Sequence, residues 1–165
     1  MKKLFTILAM LVITSLTLNA AVSKEEKALK TQMMSAWKAE VASAHKITKG
    51  ISDQELLKWM KEDKNFILVD VREPKEVAAG VILWMDWKAI PRGMVAPAIG
   101  KKVALKPTQT VVFYCKLGAR SALAAQEVQQ FYGFKDVYYL KGGIMGWIKN
   151  GHEISNMMGE FKKSK

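Results

Sequence analysis

Three short, nearly uninterrupted apolar runs, Phe66–Val69, Thr110–Tyr114 and Val137–Leu140, separated by segments with helical signals, constrain the fold more than any other feature of this chain. Runs of this length without polar alternation suit strands covered on both faces, as in a parallel sheet with crossover helices. The segments between them supply the crossovers. Ser52 with Glu55 forms a capping box ahead of Leu56, Leu57 and Met60, which predicts a helix ending near Asp63. Glu73–Ala79 reads as a short helix closed by Gly80, Ser121–Tyr132 as a helix stopped by Gly133, and Ile144–Lys149 as a closing helix before Gly151. Weaker signals place a strand near Ala89 and Ile90, then a loop containing Pro91, Gly93 and Pro97, then a helix near Ala98–Val103. The expected class is α/β, an open parallel sheet flanked by helices.

The N-terminal part lies outside this alternation. Lys2 and Lys3 precede the apolar run Leu4–Leu18 and the residues Asn19, Ala20 and Ala21, the charge, core and small-residue pattern of a secretory signal peptide over residues 1–23. The run is short for a bilayer span, so the expectation is an exported protein without a stable membrane anchor, periplasmic in a Gram-negative host. Residues 24–46 read as an amphipathic helix, with Leu29, Met33, Ala36, Trp37, Val41 and Ala44 on one face and Lys27, Lys30, Lys38 and Glu40 on the other. That face is expected to pack on the chain's own domain, residues 47–155, which a basic tail follows over 156–165. With 165 residues, 50% of them hydrophobic, the chain fits about one folded domain and not a disordered one. Its formal charge of +11 favours anions in general and carries no base readout, so no nucleic-acid partner is expected. The single cysteine excludes an internal disulfide and a zinc site of several thiolates, and no metal is expected.

In open α/β sheets the ligand lies at the carboxyl ends of the strands, in the loops that lead to helices. Two segments hold such positions, Asp70-Val71-Arg72-Glu73-Pro74 and Cys115-Lys116-Leu117-Gly118-Ala119-Arg120-Ser121. In the second, a cysteine ends a buried strand just before a helix begins. Backbone N–H groups and a helix N-terminus gathered there favour a thiolate over a thiol, and Lys116 and Arg120 add full charges if they point inward. Gly118 permits the sharp turn of a cradle-shaped loop. A Cys-started loop closed by Arg also suits a cysteine phosphatase, but the four residues between Cys115 and Arg120 make a tighter loop than one that wraps a tetrahedral phosphate. A smaller group, such as a sulfur atom carried on the cysteine, fits the tighter loop.

The segments Ile67–Pro74, Ile90–Gly93, Cys115–Ser121 and Val137–Trp147, taken in order, resemble the successive signatures of a single-domain rhodanese, a thiosulfate sulfurtransferase-like family, over Ile47–Ile154. The resemblance implies a sulfurtransferase that works through a cysteine persulfide and needs no metal or organic cofactor. Cys115 would be the sulfur-accepting nucleophile, and Lys116, Leu117, Gly118, Ala119, Arg120 and Ser121 would cradle the persulfide. Arg120 would close the loop and Lys116 would attract the donor, while Asp70 and Arg72 would brace the neighbouring loops as an ion pair. The implied donor is thiosulfate or a related small anion, and the acceptor is cyanide, a thiol or a protein. An alternative of a different class is a sulfur carrier that delivers persulfide sulfur to a protein partner, docking through the Trp84 and Trp87 region or the N-terminal helix. The chain departs from the family pattern after Gly80, where His-Ile is replaced by Val81-Ile82 and two tryptophans follow at 84 and 87. Core packing is the expected role of both.

Overall fold

The structure, a computed structural model, describes the backbone of residues 2–99, 105–156 and 159–161, with side chains over 22–99 and 105–156. The chain divides into two compact units, Met1–Ala39 and Glu40–Lys165. The first is the larger part of one long helix, α1, Lys2–Ile47. The side chains of the signal-peptide segment therefore lie mostly outside the described residues. Among the described residues no helix is long and apolar enough to cross a membrane. Leu29, Met33 and Trp37 are exposed. The packed apolar face expected for residues 24–46 is thus confined to the last turns of α1, where Val41 and Ala44 join the core of the second unit.

The second unit is built on five parallel strands, β1 (Lys49–Ile51), β2 (Ile67–Asp70), β3 (Trp87–Ala89), β4 (Val111–Tyr114) and β5 (Val137–Leu140), in the order β1-β5-β4-β2-β3. All residues of β2 and β4 are buried, which explains their unbroken apolar sequences. Alternation sorts them between two layers. Ile67, Val69, Val111 and Phe113 pack with Ala44, Val95 and the helix α5 (Ala119–Phe131), whereas Leu68, Val112 and Tyr114 pack with α2 (Asp53–Lys61) and α6 (Gly143–Lys149). Ser52 caps α2 by accepting from the Glu55 N–H at 3.1 Å, as the sequence predicts.

Gly50 sits inside β1: a Cβ there would lie 2.6 Å from Tyr139 Cζ, so the strand accommodates the neighbouring ring because glycine has no side chain. Two expectations need correction. β3 begins at Trp87, earlier than Ala89, because Leu68–Asp70 of β2 pairs with Trp87–Ala89. The helix expected at Ala98–Val103 is instead α4, Val95–Ala98, entered through a 3-10 turn at Arg92–Met94, and residues 100–104 lie outside the described set. Trp84 and Trp87 pack inward. Trp84 stacks on Phe66 at 4.7 Å and donates to the Phe66 carbonyl, while Trp87 donates to the Tyr114 hydroxyl at 2.9 Å, and both rings are half-buried against the core. At the C-terminus, β6 (Ile154–Asn156) pairs with β7 (Gly159–Phe161) inside the stretch read as a basic tail. Residues 162–165 lie outside the described set.

Candidate functional site

The strand order places the site. From β2 the chain runs through α3 (Pro74–Val77) to β3 on one side, and from the adjacent β4 through α5 to β5 on the other. The loops leaving β2 and β4 therefore diverge, opening a crevice at their carboxyl ends. Asp70 pairs with Tyr114 in the ladder, so Val71–Glu73 and Cys115–Ser121 leave the sheet side by side.

Cys115 follows Val111 and Phe113 on the strand face turned toward α5, and it is 1% exposed. The backbone then turns sharply. Gly118 is the N-cap of α5 with φ +103°, a conformation that glycine adopts without strain, and its N–H donates to Cys115 Sγ at 3.2 Å. The Ser121 hydroxyl, buried in the first turn of α5, lies 3.6 Å from Sγ and 2.8 Å from the Gly118 carbonyl. The 13-residue α5 thus directs its N-terminal end at the sulfur, beginning at Ala119, two residues before the expected start. Lys116 and Leu117 are exposed at the mouth of the loop.

Arg120 does not stand free. Its guanidinium makes a bidentate pair with Glu76 of α3, both N–O distances 2.7 Å, with the two side chains about a third exposed. This contact, more than the nearby Cys115, raises the Arg120 pKa above its ordinary value. Reciprocally, the hydrogen bonds from Arg120 hold the Glu76 carboxyl at about 2, against the opposing effect of burial. Arg120 therefore brings its charge to the loop paired with Glu76, with Cys115 as a further hydrogen-bond and charge partner.

Asp70 and Arg72 form a buried pair. The guanidinium donates to both carboxylate oxygens at 2.6–3.0 Å, and to the carbonyls of Glu76 at 3.0 Å and Gly80 at 2.7 Å. Burial works against the Arg72 charge, but the hydrogen bonds and charge of Asp70 outweigh it and raise its pKa. The pair ties the end of β2 to the last turn of α3 and to Gly80 beyond it. Tyr114 lies below, its phenol held protonated by burial and by the Asp70 charge.

Two supports lie beyond the residues singled out from sequence. Glu76 is the partner of Arg120; its signal is a carboxylate that also accepts from the Glu73 N–H at 3.2 Å in a local capping box. Gly143 is the other. Its backbone presses on the cysteine loop so closely that a Cβ would lie 2.3 Å from the Cys115 oxygen, and it has φ +56°. The next N–H groups, of Ile144 and Met145, donate to the carbonyls of Cys115 at 2.9 Å and Lys116 at 3.1 Å. The Gly142-Gly143 pair directly after β5 is the sequence signal for this close approach. Among the described residues no group of His, Cys, Asp or Glu could hold a metal ion.

The model of the rhodanese-like domain matches residues 52–150, more than half of the chain. The chain belongs to the rhodanese-like domain family. Curated relatives include the probable adenylyltransferase/sulfurtransferase MoeZ of Mycobacterium tuberculosis, 36% identical over 60% of this chain. The match spans 24% of MoeZ, about a quarter of that protein's length. A sulfurtransferase of Allochromatium vinosum is 31% identical over 63% of this chain and 92% of its own length. Among solved structures, the polysulfide-sulfur transferase homodimer of Wolinella succinogenes is similar at 31% identity and a TM-score of 0.64, covering 76% of this chain and 91% of that one. The rhodanese-like domain thus carries its lone cysteine within a fold whose relatives include sulfurtransferases.

Proposed function

We propose that the protein is a sulfurtransferase that moves sulfane sulfur from thiosulfate, or a related anionic donor, to a thiophilic acceptor through a persulfide on Cys115. The observation that carries this reading is the position of Cys115 Sγ, buried at the end of β4 beneath the Gly118 N–H and the Ser121 hydroxyl at the start of α5. The Cys115 thiolate attacks the outer sulfur of thiosulfate, the donor's S–S bond breaks, and sulfite leaves with the electron pair. In the second half-reaction an acceptor such as cyanide attacks the outer persulfide sulfur, and the Cys115 thiolate departs. Fixed dipoles do the holding: the Gly118 amide and the α5 terminus face the anionic sulfur in both the thiolate and persulfide states. The exposed Lys116 meets the charge of the incoming donor, and the Asp70–Arg72 pair braces the crevice. No cofactor enters the cycle. The N-terminal charge, apolar core and small residues support export and removal of residues 1–23, with the mature protein acting in the periplasm of a Gram-negative host.

Intact mass spectrometry of the mature protein before and after thiosulfate, beside Cys115→Ala, tests the reading. The expected result is a gain of one sulfur atom that requires Cys115 and that cyanide removes as thiocyanate. No gain from thiosulfate or from polysulfide overturns it, and the relative rates of the two donors rank them.

A further inference from the structure

Beside the cysteine loop lies a groove of about 570 Å³ lined by Leu117, Gly142, Met145, Gly146, Ile148 and Lys149. Its character is unusual for a surface so close to buried chemistry. Leu117 is 67% and Met145 44% exposed, one on the cysteine loop and the other on α6. The two elements are held together by the Met145 N–H, which donates to the Lys116 carbonyl. Gly142 and Gly146 leave the floor without side chains, and a Cβ on Gly142 would already touch Gly146 Cα at 3.4 Å. No carboxylate lines the groove. Lys149 lies within it, and Lys116 borders the adjoining cleft with Met145 and Ile148. Both lysines are exposed, and among the described residues neither is in an ion pair.

We infer that this groove is the docking surface for an acidic protein segment that brings an acceptor thiol to Cys115. The inference rests on the sulfur-transfer reading and names the class of its partner. Cyanide or a small thiol needs no apolar groove, whereas an exposed leucine and methionine between Lys116 and Lys149 fit a segment with apolar residues between carboxylates. Because Cys115 is almost fully buried, a single cysteine projecting from such a segment reaches the sulfur where a flat protein face does not. The segment's thiolate attacks the outer persulfide sulfur, the S–S bond to Cys115 breaks, and the Cys115 thiolate leaves, so the segment departs as a persulfide.

The test uses a fluorescein-labelled peptide in which a serine in place of the thiol residue is flanked by leucines and then by aspartates and glutamates. A counterpart peptide carries lysines at the acidic positions. Fluorescence anisotropy on the full mature protein is expected to give about tenfold tighter binding of the acidic peptide, weakened by salt and lost about tenfold in Lys149→Glu. In parallel, discharge of persulfide-loaded protein by the cysteine form of the peptide falls about tenfold in that variant, while discharge by cyanide stays within about twofold. Equal binding of both peptides, or binding indifferent to the variant, overturns the proposal. So does a concentration-dependent dimer, or cosedimentation with phosphatidylglycerol vesicles, that Lys149→Glu abolishes in the absence of peptide binding, because the face then belongs to a second copy or a lipid surface. Failure of Cys115 to take up sulfur overturns the sulfur-transfer reading instead, and the anisotropy still decides the surface.

Discussion

At the carboxyl end of β2, Asp70 and Arg72 are buried and satisfy each other, and Glu76 of the following α3 neutralises Arg120. At the end of the adjacent β4, Cys115 is equally buried, but its sulfur meets a backbone N–H and a hydroxyl at the start of a helix. The first end uses full charges to hold loops in place. The second is furnished with dipoles that need no counter-ion and so remain available to an anionic sulfur. Two paired ions attract a third ion weakly, because their fields largely cancel beyond a few ångströms, whereas amides fixed by a helix keep their orientation when the ligand leaves.

The comparison breaks most visibly at Asp70. Asp70→Asn leaves the Arg72 guanidinium buried without its counter-charge and is expected to destabilise the domain by about 3–5 kcal/mol, read by urea denaturation. A loss below about 1 kcal/mol would mean that the carbonyls of Glu76 and Gly80 alone suffice for Arg72. Next in size, Gly143→Ala acts on the β4 end. The new Cβ meets the Cys115 oxygen in a conformation that alanine resists, and the expected cost is about 1–3 kcal/mol. Because the displaced atoms belong to the cysteine loop, sulfur loading should fall further than that stability loss predicts for the folded fraction. Loading that simply tracks the folded fraction would show that the contact is only structural.

Glu76→Gln sharpens the contrast through pH. The depressed carboxyl contributes stability that is fully present above the ordinary glutamate value of 4.5 and is lost as pH falls through about 2. The difference in melting temperature between the native protein and Glu76→Gln should therefore be constant from pH 7 to about 5 and shrink toward pH 2. A difference that persists undiminished at pH 2 would locate the effect in packing. The smallest change is Lys116→Ala, expected to slow loading by thiosulfate about three- to tenfold at low salt while leaving discharge by a neutral thiol nearly unchanged. Equal slowing of both half-reactions in stopped-flow assays would remove the donor-attracting role from Lys116.

Much of this arrangement is legible in the order of residues along the chain. The three apolar runs are β2, β4 and β5 with small shifts, and the Ser52 cap, the helix after the cysteine and the closing helix all stand where local signals put them. The losses share a cause. β1 is three residues long and contains a glycine that only the Tyr139 ring on the neighbouring strand explains. α4 spans four residues around Pro97, too short for periodicity to register. Glu76 and Gly143 support the site through contacts with segments 44 and 28 residues away, at Arg120 and Cys115, which no local pattern encodes.

Taken alone, the sequence determined the class of fold, the two strand ends that form the candidate site, and the cysteine among them. Those features depend on short-range patterns: apolar runs for strands buried on both faces, a glycine where the chain must turn, a helix beginning just after Cys115. Only the tertiary structure decided which charges are free. Arg120 and Lys116 are both cations in the same loop, yet folding brings Glu76 against the first and leaves the second exposed. It also set Leu117 and Met145 on the surface beside the cysteine loop. The physical reason is that pairing and burial depend on distances between segments remote in the chain, whereas strand and helix signals are written in neighbours.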